Sequence, residues 1–176
     1  MAAPEQREDD EYGALRATIR QRGTARVCIF VAGIVAWASL AAATAALTET
    51  PVTTLLPLLV LAAVFEAVFS LHVGVERIGR YIQVFHEHDG RPGWEHTAMA
   101  FGRPAGAATS DPLFVVPFLL ATLFNGAPVT LVQPVPVELA FIGGAHALFV
   151  LRVVVARSVA AKQRAIDLAR FQQMKP

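Results

Sequence analysis

Four stretches of this chain are long and apolar enough to cross a lipid bilayer, and no other feature limits its fold as strongly. A hydrocarbon core of about 30 Å takes about 20 apolar residues at 1.5 Å rise, and inside it only helices and closed barrels satisfy their own backbone groups. The first stretch, 27–47, carries no ionisable side chain except Cys28, and Thr24 after Gly23 is placed to cap its helix. The second, 51–75, opens at Pro51 behind Thr50 and is interrupted only by Glu66 and His72. The third, 112–132, opens at Pro112 behind Asp111; Asn125-Gly126-Ala127-Pro128 is a stop signal, so this stretch is either a broken span or a short helix followed by an apolar loop. The fourth, 136–156, is interrupted by Glu138, His146 and Arg152.

The expected fold is all-α: a polytopic membrane protein, a four-helix transmembrane bundle of two hairpins with an N-terminal amphipathic helix and long cytoplasmic helix extensions. Composition agrees, because 55% of the 176 residues are apolar and only 16% charged, which excludes disorder and disfavours a water-soluble globule. With Cys28 alone, a disulfide framework or a cysteine-based zinc site within one chain is excluded.

Orientation follows from the basic residues, since short loops rich in Lys and Arg stay cytoplasmic. Five arginines from Arg7 to Arg26 precede the first span, four from Arg77 to Arg103 lie between the second and third, and six basic residues run from Arg152 to Lys175. The outer turns have none. Both termini are therefore expected in the cytoplasm and the chain in a plasma or inner membrane. The small residues of 41–46 also suit a signal-peptide cleavage site, but Glu5, Glu8, Asp9, Asp10 and Glu11 have the wrong sign for a signal sequence, and cleavage leaves an odd number of spans. Ala38, Ala42 and Ala46, four residues apart, let a neighbouring helix approach closely instead.

Residues 1–26 put acids first and bases last around a thin stripe of Tyr12, Leu15 and Ile19, the pattern of a helix lying on the membrane surface. In the first hairpin, 27–88, the spacing of Val75, Ile78, Ile82 and Phe85 carries the second helix past the bilayer, continuous to Glu87 and about 55 Å long. This seam offers itself to a partner. Residues 89–111 read as a turn at Asp89-Gly90-Arg91-Pro92-Gly93, a short interfacial helix from Trp94 to Phe101, and a linker from Gly102 to Ser110. The second hairpin, 112–176, ends in a helix that runs on to about Phe171.

Residues 66–77 align with 146–157 at half of their positions, so the hairpins are an internal repeat related by a pseudo-twofold axis, or low-diversity sequence matching by chance. The alignment makes Glu66 and His146 equivalent. Glu66, Ser70 and Arg77 fall on one helical face, so the group reads either as an ion or proton pathway with Glu66 and His146 exchanging a proton, or as a hydrogen-bonded pair that fixes helix register.

Four further residues, His86, His88, Asp89 and His96, supply metal-ligand chemistry, although histidines at a helix C-terminus also simply favour its negative pole. A haem needs facing histidines, whereas His72 lies about 15 Å nearer the cytoplasm than His146 by helix rise. His72, Glu76 and Arg80 form a ladder at the cytoplasmic end, with Arg80 and Arg152 snorkelling to headgroups. Cys28 is a small apolar residue at a helix start, or an acylation site near the inner headgroups. No phosphate loop, activated nucleophile or zinc-protease motif occurs, no cofactor is expected, and the spread of bases across three segments excludes a nucleic-acid surface. The span arrangement is shared by many unrelated small membrane proteins.

The expected function is non-catalytic: an oligomeric or accessory subunit of a membrane complex, working by contacts with lipid, with other membrane subunits or with its own copies. An oligomeric ion or proton channel lined near Glu66 and His146 is the alternative. A haem- or metal-binding electron-transfer subunit is the third.

Overall fold

The computed structural model describes residues 4–47, 50–87, 93–101 and 112–175. Five α-helices, α1 (Pro4–Leu47), α2 (Leu55–Phe85), α3 (Trp94–Phe101), α4 (Pro112–Gly126) and α5 (Pro136–Met174), account for most of them, with 3-10 turns at Pro51–Thr54 and Ala127–Leu131. No strand occurs among the described residues. Three helices are long and apolar enough to cross a membrane: α1, α2 with its leading turn, and α5.

The 44 residues of α1 form one helix, so the break expected at Gly23-Thr24 is absent and Thr24 caps nothing. After Pro4 no proline occurs before Pro51, and an interior glycine costs a helix only about 1 kcal/mol relative to alanine, too little to interrupt a long segment. Thr50 is extended but makes no side-chain cap; its carbonyl accepts instead from the Thr53 hydroxyl at 2.8 Å. Pro57 lies in the first turn of α2, where an N–H has no helical partner to lose. The other end of α2 closes on the Ile82 carbonyl, which accepts from the N–H groups of both His86 and Glu87.

Of the helices in the four apolar stretches, α4 is the shortest. Its 15 residues rise about 22 Å, less than a hydrocarbon core, and it continues through Pro117 before tightening into the 3-10 turn at Ala127–Leu131, where the Asn-Gly-Ala-Pro signal lies. α5 runs 39 residues to Met174. The expected cap Asp111, the 102–110 linker and most of the 89–93 turn lie outside the described residues.

The chain divides into two compact units, each taking part of α1, α2 and α5. The first, Val27–Phe69 with Ser110–Arg157, is apolar. Its core joins Leu58, Leu61 and Phe65 of α2 to Phe118 and Ala121 of α4 and to Phe149, Val153 and Ala156 of α5, with Phe30, Ile34 and Trp37 of α1 packed against it. Phe65 is the centre: the rings of Phe118 and Phe149 meet it edge-on at 5.1 and 5.9 Å, the quadrupole-favoured geometry. α1 approaches α2 at Gly33, where a Cβ would overlap the stiff Val64 side chain. Ala38, Ala42 and Ala46, expected to admit a close helix, are exposed.

The second unit, Met1–Arg26 with Ser70–Thr109 and Ser158–Pro176, is polar and rich in ion pairs. Ile82 is fully buried there, and Tyr81 and Phe85 meet Phe171 of α5 edge-on at 5.6 and 6.3 Å. The seam expected to face a partner is thus filled in part by the chain's own α5. The segment expected on a membrane surface is likewise engaged by protein, since Glu11 accepts from the Tyr81 hydroxyl at 2.7 Å and Arg16 bonds Glu95 at 3.0 Å.

Candidate functional site

Within the apolar unit, polar side chains gather at two places, and each is built by segments far apart in sequence. The first centres on Asn125, which is only 2% exposed. Its amide nitrogen donates to the Thr54 carbonyl at 2.8 Å and to Nε2 of His146 at 3.0 Å, while its oxygen accepts from the Trp37 indole at 3.2 Å. Nδ1 of His146 bonds the Ile142 carbonyl at 2.8 Å. A carbonyl can only accept, so the pattern is that of the neutral ring with its proton on Nδ1 and its Nε2 lone pair on Asn125. An Nε2–H would face an amide N–H, donor against donor.

One side chain therefore ties α1, the turn before α2, the end of α4 and α5 together. Asn125 sits at the last turn of α4. Beside it Trp37, Ala38, Ala41, Ala42, Phe124 and Pro128 help line a cavity of about 240 Å³. Two of the expected packing alanines are thus cavity walls.

The second place is an ion pair. Arg152 grips Glu66 with two parallel bonds, Nε to Oε1 and Nη2 to Oε2, both 2.7 Å. Its guanidinium also lies over the Phe65 and Phe69 rings at 5.5 and 4.8 Å. Arg152 is therefore turned to a carboxylate rather than extended to headgroups. Glu66 and His146, equivalent by alignment, have different partners and are not joined to each other.

In the polar unit, Glu87 caps α3 from a distance. Gly93 precedes the helix and has no capping side chain, and the Glu87 carboxylate fills that role, accepting from the N–H of Glu95 at 2.7 Å and of His96 at 3.0 Å while pairing with the His96 ring. A Cβ on Gly93 would overlap this carboxylate. Burial works to raise the Glu87 carboxyl, but the two N–H donors and the His96 ring outweigh it and hold it below the ordinary range. Glu95 in turn pairs with Arg16 and, at 3.6 Å, with Arg80. Arg80 is only 6% exposed, so it is buried in protein rather than snorkelling; burial pulls its guanidinium below the usual value against the opposing charge of Glu95. His72 stays 3.7 Å from Glu76, as the ladder predicts, and also bonds Arg26, while Glu76 takes Arg164 at 2.5 Å. Arg77 pairs with Asp167 at 3.1 Å. Ser70 belongs to this unit as well.

Of the metal candidates, His86 lies between the Tyr12 and Tyr81 rings and 3.9 Å from Glu11, and His96 is held by Glu87. His88 and Asp89 lie outside the described residues. Among the described residues, no group of three His, Cys, Asp or Glu side chains is arranged to hold a metal ion. Cys28 is exposed.

The residue missed by sequence reasoning is Asn125, whose only visible signal was a turn. No protein-family model matches the chain, and neither the curated proteins nor the solved structures contain a significant match.

Proposed function

We propose that the chain is a small integral membrane protein that works without catalysis, as an oligomeric or accessory subunit of a membrane complex. The carrying observation is the inversion of the apolar unit: Val31, Leu59, Leu123, Phe141 and Leu148 are more than half exposed, while Asn125 and His146 bond to protein. Hydrocarbon is the solvent that such a surface fits. In this reading α1, α2 and α5 cross the bilayer, α4 with its 3-10 turn is the fourth span, and the basic polar unit with both termini is cytoplasmic.

An oligomeric ion or proton channel is the second reading, supported by the 50% exposure of the Glu66 side chain. Against it stand the Arg152 fork and the proton arrangement at His146, which suit fixed ties better than a relay. A haem or metal subunit draws least support, since the His72 and His146 nitrogens are already engaged. The test is alkaline extraction of membranes followed by ion flux into liposomes. The protein should stay with the membrane, and purified protein should conduct no more than empty vesicles. Release at high pH, or a proton flux abolished by Glu66→Gln, would overturn the reading.

A further inference from the structure

The Glu66–Arg152 pair is well made but badly covered. Its side chains remain 50% and 36% exposed on the apolar unit, beside the Phe65 and Phe69 rings and one helical turn before Ser70, with exposed aliphatic residues earlier along both helices. On α2, Leu59, Ala63 and Glu66 share one face at steps of four and three; on α5, Leu148, Arg152 and Val155 do the same. Leu59 and Leu148 are 69% and 68% exposed. By helix rise, Glu66 lies about 16 Å from the start of α2 and Arg152 about 24 Å from the start of α5, both less than the thickness of a hydrocarbon core. Ionised side chains at such positions face protein or water rather than lipid.

We propose that a second copy of this chain covers this face. The inference rests on the reading of the chain as a membrane-embedded subunit. The surface is self-complementary in charge: it offers one carboxylate and one guanidinium side by side, net zero. A two-fold axis along the membrane normal reverses their in-plane order, so the carboxylate of each copy meets the guanidinium of the other. Each Glu66 then has two cations and each Arg152 two anions, in a site from which lipid is excluded. A partner carrying a single charge leaves one member of the pair without a counterpart, which is why the second copy fits best.

The test is crosslinking of the full chain in native-lipid bilayers with a short thiol-reactive bifunctional reagent. Because Cys28 is exposed, it is first replaced by alanine. Cysteine is then placed at Ala63 or Leu148 on the proposed face, at Ala42 on the exposed small-residue face of α1, and at Leu139, which is 53% exposed on the side of α5 opposite Leu148. Efficient dimer links are expected from Ala63→Cys and Leu148→Cys alone. Glu66→Gln and Arg152→Gln should each lower that yield by about fivefold or more, and the charge swap Glu66→Arg with Arg152→Glu should restore it. The swap keeps the pair within each chain, so it remains informative where single variants fail to fold. Links through Ala42 or Leu139 in a protein of oligomeric mass overturn this interface while leaving the subunit reading intact. A single-chain mass with no links and no co-purifying subunit overturns both.

Discussion

Asn125 is the residue on which the apolar unit depends most specifically. Its amide supplies two donors and an acceptor, and three partners from three other segments use them. Asn125→Ala leaves the Trp37 indole N–H, the Thr54 carbonyl and Nε2 of His146 short of a partner, a loss of about 1–3 kcal/mol. Thermal or denaturant unfolding in mild detergent measures it, and a change within a few tenths of a kcal/mol would assign the network no structural weight. The sequence marked this position only as the start of a stop signal, because Asn-Gly before Ala-Pro is a turn by composition. Nothing in a single chain says which distant groups a turn residue reaches; here Trp37 lies 88 positions away. The same blindness affected Glu66. Alignment of the hairpins matched it to His146 by place along the helix, whereas contact depends on rotation and offset, and those delivered Arg152, 86 positions away.

At the scale of elements, the long helices were legible because nothing interrupts them: apolar runs bounded by Pro51, Pro112 and Pro136 mark where segments open. The continuity of α1 was not, since a glycine beside a threonine resembles a helix start but costs too little to make one. α3 was visible as an element and invisible as a capped one. Its N-terminus is completed by Glu87, six residues before Gly93, across a turn whose course composition does not specify. This cap has a pH dependence with a definite sign. The carboxyl is held below its ordinary value of 4.5, so the stabilisation is fully present above that pH and is lost as the pH falls through the depressed value in the folded state. The protection of the Trp94–Phe101 amides relative to their intrinsic exchange rates should therefore fall on acidification below that range, and Glu87→Gln should show lowered protection at neutral pH. A Gly93→Ala variant should resemble Glu87→Gln, because the added methyl displaces the same carboxylate. Protection in α3 indifferent to all three changes would remove Glu87 as its cap.

For the molecule as a whole, composition and helix length are enough to point to a bilayer, while function rests on where the polar groups end up. The expected docking seam is filled in part by α5, where Phe85 meets Phe171, and on the apolar unit the structure leaves the Glu66–Arg152 pair part-exposed. Periodicity reports that a face is apolar; it does not report which face the chain covers by itself. The proposed function by contacts requires that the protein be found in contact. The most direct measurement is therefore the protein mass of the complex extracted in mild detergent, by light scattering with detergent and lipid subtracted. At least two 18.9 kDa chains per particle, or one chain with a stoichiometric membrane partner, are expected. A particle holding a single chain and nothing else at every concentration tested would contradict the proposed function.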